Sequence, residues 1–262
     1  QYHGRRRDRA YHTSRERASP EPFAIFVAPP ANHAVTETVA LLPPPLGILG
    51  GTFDPIHYGH LELAREVKDA AGLSEVRLIP AGDPPHRGAP VASALHRLAM
   101  VELAVADYRG FVVDAREIQR PGRSYSVLTL TELRAQYPAV PLALIVGADA
   151  FVGLPTWHQW QRLFELAHLI VVGRPGTPFD EPLPPALAQE WTNRLVATPA
   201  ELRAAVAGSI TRVAITPRPI SATAIRAALD RGDAGTVRGL LPPAVLAYID
   251  RNRLYRSHQD AT

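Results

Sequence analysis

Two histidines three residues apart, His57 and His60, stand behind paired glycines in the run Gly50-Gly51-Thr52-Phe53-Asp54-Pro55-Ile56-His57-Tyr58-Gly59-His60. The apolar residues 46–49 before it read as a buried strand, and residues 60–71 after it as an amphipathic helix. Glycines at a strand's end let the chain turn sharply and let a ligand approach the main chain. With the helix beginning near residues 57–59, its unpaired N–H groups and positive dipole end face that turn, a ready site for phosphate. At a spacing of three, both imidazoles share one face of the first helical turn and can donate hydrogen bonds to phosphate oxygens. Gly59 leaves room for a ligand against the helix. A rival chemistry is zinc, with His57, His60, Asp54 or His86 as ligands. It is the weaker reading, because the spacing is not that of a zinc-protease helix and no glutamate lies between the histidines as a base.

A second anion site can be built late in the chain. In Pro219-Ile220-Ser221-Ala222-Thr223-Ala224-Ile225-Arg226, Ser221 is a natural N-cap for a helix over 222–229. That helix end, the Thr223 hydroxyl and the Arg226 guanidinium would converge on an anion. Read alone, an ordinary cap with an exposed arginine fits equally well. Three more segments carry groups suited to the rest of a nucleotide. His86 and Arg87 follow the stiff Pro84-Pro85 and suit a phosphate or carboxylate. Arg123-Ser124-Tyr125-Ser126 leads into a helix that Ser124 or Ser126 can cap. Gly147-Ala148-Asp149 closes an apolar run, which suits Asp149 to a ribose hydroxyl. Trp157 beyond it can stack on a flat ring, while Trp160 reads as core.

Placing these groups together requires a frame, and the hydrophobic pattern supplies one. Buried strands are expected at 46–49, 76–79, 111–113, 142–146, 169–172 and 212–215. Helices are expected at 60–71, 95–106, 126–136, 159–166, 222–229 and 243–251. Strand and helix in alternation imply an α/β fold with a mostly parallel sheet, which binds ligands at the carboxyl ends of its strands. Residues 177–207, marked by Pro178, Pro182, Pro184 and Pro185, read as a surface insertion.

Composition removes several alternatives. The chain has 262 residues and no cysteine, which excludes disulfide scaffolds, thiolate metal sites and cysteine nucleophiles. Lys68 is its only lysine and lies in no GK[ST] context, so a Walker-type phosphate loop is excluded too. Residues 1–20 hold six arginines against Asp8 and Glu16, a net of +4; with 28 basic and 25 acidic groups in all, residues 21–262 hold 22 and 23, a net of −1. The positive balance therefore belongs to the N-terminal segment, and the body is not that of a nucleic-acid binder; whether the Arg-rich segment binds anything stays open. No apolar run reaches the roughly 20 residues a bilayer span needs. Residues 1–45 read as a disordered or artefactual extension, and residues 46–262 as one domain.

Gly50–His60 as a run resembles the signature of the HxGH nucleotidyltransferase superfamily, and the other segments are similar to those of its nicotinate-nucleotide adenylyltransferase family. Pro219–Arg226 resembles that superfamily's ISSTxxR segment, with Ala222 where a second serine is common. Pro84–Arg87 is similar to the PPHK/R segment, and Arg123–Ser126 to the SYT segment, with Ser126 in place of threonine. Gly147–Trp157 resembles GxD…W, and the segment holding Arg174 resembles one beside the adenosine. The likeness spans roughly 46–256 and implies a Rossmann-like nucleotidyltransferase fold. It also implies adenylyl transfer from ATP to nicotinate mononucleotide, with Mg²⁺. On this resemblance His57 and His60 are catalytic. Gly50, Gly51, Thr52, Phe53, Arg174, Ser221, Thr223 and Arg226 join them in binding ATP. His86, Arg87, Ser124, Tyr125, Ser126, Gly147, Asp149 and Trp157 hold the acceptor. No protein-held metal is expected, since no dense carboxylate cluster is visible; Asp54 could touch a phosphate-bound ion's outer sphere. A cytoplasmic location is expected, and the oligomeric state is not readable. Other acceptors within the superfamily, or a non-catalytic nucleotide-binding regulator, are the alternatives.

Overall fold

Each of the six apolar runs forms a strand, and all six lie parallel in one sheet of order β3-β2-β1-β4-β5-β6. The computed structural model describes residues 41–85, 88–173, 182–216 and 218–256. In chain order the elements are β1 (Leu46–Gly51), α1 (Tyr58–Ala70), β2 (Glu75–Pro80), α2 (Ala94–Val105), β3 (Phe111–Val113), α3 (Arg116–Gln119), α4 (Ser126–Gln136), β4 (Leu142–Gly147), α5 (Ala148–Val152), α6 (Leu163–Leu166), β5 (His168–Gly173), α7 (Pro185–Arg194), β6 (Ile210–Ala214), α8 (Ala222–Asp230), α9 (Ala234–Val237) and α10 (Pro243–Arg251). The chain runs outward from β1 to β3, then returns to place β4 beside β1 and runs outward the other way. This reversal is the switch point of a Rossmann-like sheet, where a crevice opens at the carboxyl edge.

Both faces of the sheet are covered, which is why its strands carry unbroken apolar runs. Successive strand residues point to opposite faces. Ala143, Ile145, Ile170 and Val172 pack with Leu61 and Val67 of α1, Met100 and Val101 of α2, Ile225 of α8 and Val245 and Ile249 of α10. Leu144, Val146, Leu169 and Val171 pack with Leu130 and Leu133 of α4, Phe151 of α5 and Leu187 of α7. Among the described residues no helix is long and apolar enough to cross a membrane.

Two expectations need correcting. Residues 159–166 are not one helix: Gln159 takes a left-handed conformation (φ 52°), followed by a tight 3₁₀ turn and then the short α6. Of the expected insertion at 177–207, the described part is built into the core. Leu187 of α7 and Leu202 are fully buried, and Trp191 packs edge-on to Phe151. The prolines misled because Pro185 occupies the first helical turn, where a missing N–H costs nothing, so it starts a helix instead of marking a loop.

At the amino-terminal edge of the sheet, away from the crevice, Arg134 of α4 donates to the carbonyls of Tyr137 and Val140 before β4, Leu166 before β5 and Val206 before β6. One guanidinium thus staples three strand entrances through main-chain oxygens.

Candidate active site

A cavity of roughly 1100 Å³ opens at the carboxyl edges of β1 and β4. Its first wall is the turn after β1. Gly50, Gly51, Thr52, Phe53, His57 and His60 all line it. A side chain at Gly50 would meet nothing within 4 Å, so the main chain there is open to a ligand. Phe53 sits at φ 50° and the Asp54–Pro55 peptide is cis.

His57 and His60 stack with ring centroids 3.8 Å apart, and the edge of Phe53 meets His60 at 5.1 Å. His60 Nδ1 accepts the main-chain N–H of His57 at 3.3 Å, so neutral His60 carries its proton on Nε2. His57 is buried, and its Nδ1 is the one buried side-chain polar atom among the described residues that lacks a hydrogen-bond partner. Such an orphan in a cavity wall calls for a ligand or water. Gly59 is required here: a Cβ would lie 2.9 Å from His57 Nδ1 and force the stack apart.

Burial pushes the His57 pKa down to about 4 from its ordinary 6.5. The folded state thus disfavours protonated His57. Its contribution to stability is complete above about pH 6.5 and is lost as the pH falls toward 4, by about 3 kcal/mol. We expect urea denaturation at pH 7 and pH 4.5 to show this loss in the wild type and a smaller one in His57→Asn. Equal losses in both would remove His57 as the cause; the buried His168, also shifted down by burial, is common to both.

The second wall is the start of α8. Ser221, Thr223 and Arg226 line the cavity. Arg226 Nη1 donates to the Asp54 carbonyl at 2.7 Å and Nη2 to Thr223 Oγ1 at 3.3 Å, joining this helix to the first turn. The amino ends of α1 and α8 therefore converge on one space, as an anion requires. The expected Ser221 cap is not formed: its side chain makes no capping bond, so the helix's leading N–H groups are not used by it.

The lining also includes Ser124, Ser126, Gly147, Asp149 and Trp157. Neither serine caps α4, whose N-cap is Tyr125 with no side-chain bond. Instead Ser124 Oγ accepts the N–H groups of Gly82 (2.9 Å) and Asp83 (3.3 Å), and Ser124 N–H donates back to Asp83 O. Tyr125 turns its ring onto His158, centroids 4.5 Å apart, and is not part of the cavity lining. Trp160 is half-buried against Phe164, as core. His86, Arg87 and Arg174 lie outside the described residues.

Other residues of this region have structural roles that the sequence did not suggest. Asp54, at the cavity wall, is buried, and its carboxylate accepts Val91 N–H (2.8 Å), Ala92 N–H (3.1 Å) and the Tyr255 hydroxyl (2.8 Å). Tyr255 has φ 62°, and burial beside that carboxylate pushes its pKa up. Arg97 is 1% exposed and reaches main-chain oxygens of three loops. A signal for it existed: Arg97, Met100, Val101 and Ala104 follow the i, i+3, i+4, i+7 stripe of a buried helix face. Glu117 borders the cavity, buried and bonded by Thr129 Oγ1 at 2.6 Å, and its pKa is raised by burial.

Among the described residues no three His, Cys, Asp or Glu side chains could hold a metal. Of the residues named for zinc, His57, His60 and Asp54 form no such group, and His86 lies outside the described residues. The Asp54 carboxylate is already engaged by three protein donors.

Residues 48–228 match the family model described as cytidylyltransferase-like. A protein of Acidithiobacillus ferrooxidans named "probable nicotinate-nucleotide adenylyltransferase" is 50% identical over 212 residues, covering 81% of this chain and 96% of its own. The chain belongs to the nicotinate-nucleotide adenylyltransferase family. A Halorhodospira halophila member of the same name is 53% identical over 200 residues, covering 76% and 90%. The nicotinic acid mononucleotide adenylyltransferase of Plasmodium falciparum, solved in complex with NaAD, superposes with a TM-score of 0.61 at 14% identity, covering 81% of this chain and 98% of that one. At that identity the likeness is one of fold: this family member shares its Rossmann-like nucleotidyltransferase architecture.

Proposed function

We infer that this chain transfers the adenylyl group of ATP to nicotinate mononucleotide, giving nicotinate adenine dinucleotide and pyrophosphate. The observation that carries the reading is the convergence of two helix amino ends and a stacked imidazole pair on a cavity that Ser126, Asp149 and Trp157 also line. The acceptor's 5′-phosphate is already ionised at neutral pH, so it attacks the α-phosphorus of ATP directly, with no covalent intermediate and no general base. Catalysis then rests on positioning and charge stabilisation. His60, with its Nε2–H, is assigned to the charge developing on the α-phosphoryl group. His57, Thr223, Arg226 and the main chain at 50–53 hold the remaining phosphates. Asp149 takes a ribose hydroxyl, and Trp157 and the main chain at Ser126 take the nicotinate ring and its carboxylate.

With no carboxylate cage among the described residues, the site would take a divalent cation brought in with ATP; Mg²⁺ is the proposed ion, and it would neutralise phosphate charge. Residues 46–262 are the proposed catalytic unit, acting in the cytoplasm.

The test is a panel of acceptors with ATP and Mg²⁺, read as pyrophosphate release. Nicotinate mononucleotide is expected to exceed nicotinamide mononucleotide in kcat/KM by at least about tenfold, the scale of one charge-assisted contact. Preference for the amide would overturn the carboxylate pocket. Turnover with pantetheine phosphate alone would overturn the acceptor class.

A further inference from the structure

We propose that Arg97 is a positioning residue that sets the distance between the ATP side and the acceptor side of the cavity; the proposal rests on the transfer reaction inferred above. Its guanidinium donates through Nη1 to Thr52 O (2.7 Å), through Nη2 to Gly82 O (3.2 Å) and through Nε to Ala92 O (3.3 Å). Thr52 belongs to the phosphate-binding turn after β1. Gly82 lies in the loop after β2, and its N–H is held by Ser124 Oγ, two residues from Ser126 in the cavity lining. The planar fork therefore spans both halves of the cavity in one rigid unit: Thr52, Arg97, Gly82, Ser124.

Each joint of this bracket is tight. Gly82 is wedged against α3, where even a Cβ would come within 2.3 Å of the Glu117 carbonyl. Ala92 is gripped from the other side, since its N–H donates to Asp54 while its carbonyl accepts from Arg97. Asp54 supplies the nearest compensating charge, yet among the described residues no carboxylate makes an ion pair with Arg97. Burial consequently lowers the guanidinium's pKa.

A general packing role explains these facts poorly. Arg97 lies on the apolar stripe of α2 with Met100, Val101 and Ala104. A methionine would suit that stripe without the cost of burying a cation. What an apolar residue cannot do is hold three carbonyls at fixed directions, and only a guanidinium offers five N–H donors in a plane. In-line transfer needs the attacking oxygen and the phosphorus about 3–3.5 Å apart, and a misplacement near 1 Å costs about 10²-fold. Arg97 touches neither substrate; it fixes the two surfaces that do.

The test compares Arg97→Lys with Arg134→Lys, a second arginine that donates only to main-chain carbonyls but sits at the opposite edge of the sheet. Arg97→Lys is expected to lower kcat about 30- to 100-fold, with KM for ATP and for nicotinate mononucleotide each within about threefold of wild type. Arg134→Lys is expected to lower Tm with kcat unchanged. Ser124→Ala, a milder change that frees Gly82 from its far side, carries the same expectation of a kcat-selective loss and serves if Arg97→Lys does not fold. Amide hydrogen exchange supplies a readout independent of turnover. In Arg97→Lys or Ser124→Ala, the amides of 50–54 and 82–83 should exchange about tenfold faster, while those of β4 keep their rates. Wild-type kcat in either variant, a loss confined to KM, or unchanged exchange at 82–83 would overturn the bracket. A wild-type enzyme that forms no dinucleotide would overturn the function while exchange still reads the bracket.

Discussion

Replacing His60 with alanine is expected to lower kcat/KM for dinucleotide formation by about 10²–10³-fold, the usual effect of deleting one preorganised donor to transition-state charge. The geometry makes this a loss of chemistry more than of structure. His60 is held through Nδ1 by the His57 N–H at 3.3 Å, and its plane is set by His57 on one side and Phe53 at the edge. All of these contacts orient Nε2–H. His60→Gln separates the two roles, because glutamine at this helix position can still accept the His57 N–H, as in an ordinary capping box. It should fold with a near-wild-type Tm yet remain impaired, because its amide NH2, a neutral group that cannot gain charge, stands in for an imidazole beside the developing phosphoryl charge. Steady-state kinetics with both substrates varied, beside thermal melts, would measure this. If either variant stayed within tenfold of wild type, the assigned role of His60 would be wrong.

Arg226 carries the second large expectation. Its guanidinium already gives Nη1 to the Asp54 carbonyl and Nη2 to Thr223 Oγ1, and still has N–H groups for a phosphate. Lysine keeps the charge but cannot bond the first turn, the α8 start and an anion in the same plane. Arg226→Lys is accordingly expected to lose about 10²-fold in kcat/KM, and Arg226→Ala about 10³-fold, within the range of arginines that neutralise phosphoryl transition states. Both KM for ATP and kcat should change, since the residue contacts phosphate and also ties the two walls. A lysine variant with wild-type kcat would sink this account.

The sheet was readable because buried parallel strands are continuous apolar runs; each expected strand lies within two residues of the observed one at either end. The phosphate-binding turn was readable because glycines and histidines at short spacing constrain their own geometry. What could not be read were relations across the chain. Ser124 looked like a helix cap, and only the approach of the β2 loop makes it an acceptor for Gly82 and Asp83. Asp54 looked available to a cation, and only the approach of the loop at 91–92 and of Tyr255 shows its carboxylate already engaged. Arg97 was passed over because a charge in an amphipathic helix is by default solvated, although its place on the apolar stripe argued otherwise. Pro185 shows the reverse error, a residue given too much local meaning as a loop marker.

The bond from Tyr255 to Asp54 joins residues 201 positions apart. Protein synthesis proceeds from one end, so a ribosome has made the whole glycine–histidine turn, and five more strands, before this hydroxyl exists. A growing chain thus carries the letters of the phosphate site long before it carries the finished site. Closing so large a loop costs only slightly more entropy than closing a smaller one. The sheet can therefore assemble first, with the reactive turn sealed at the end of folding.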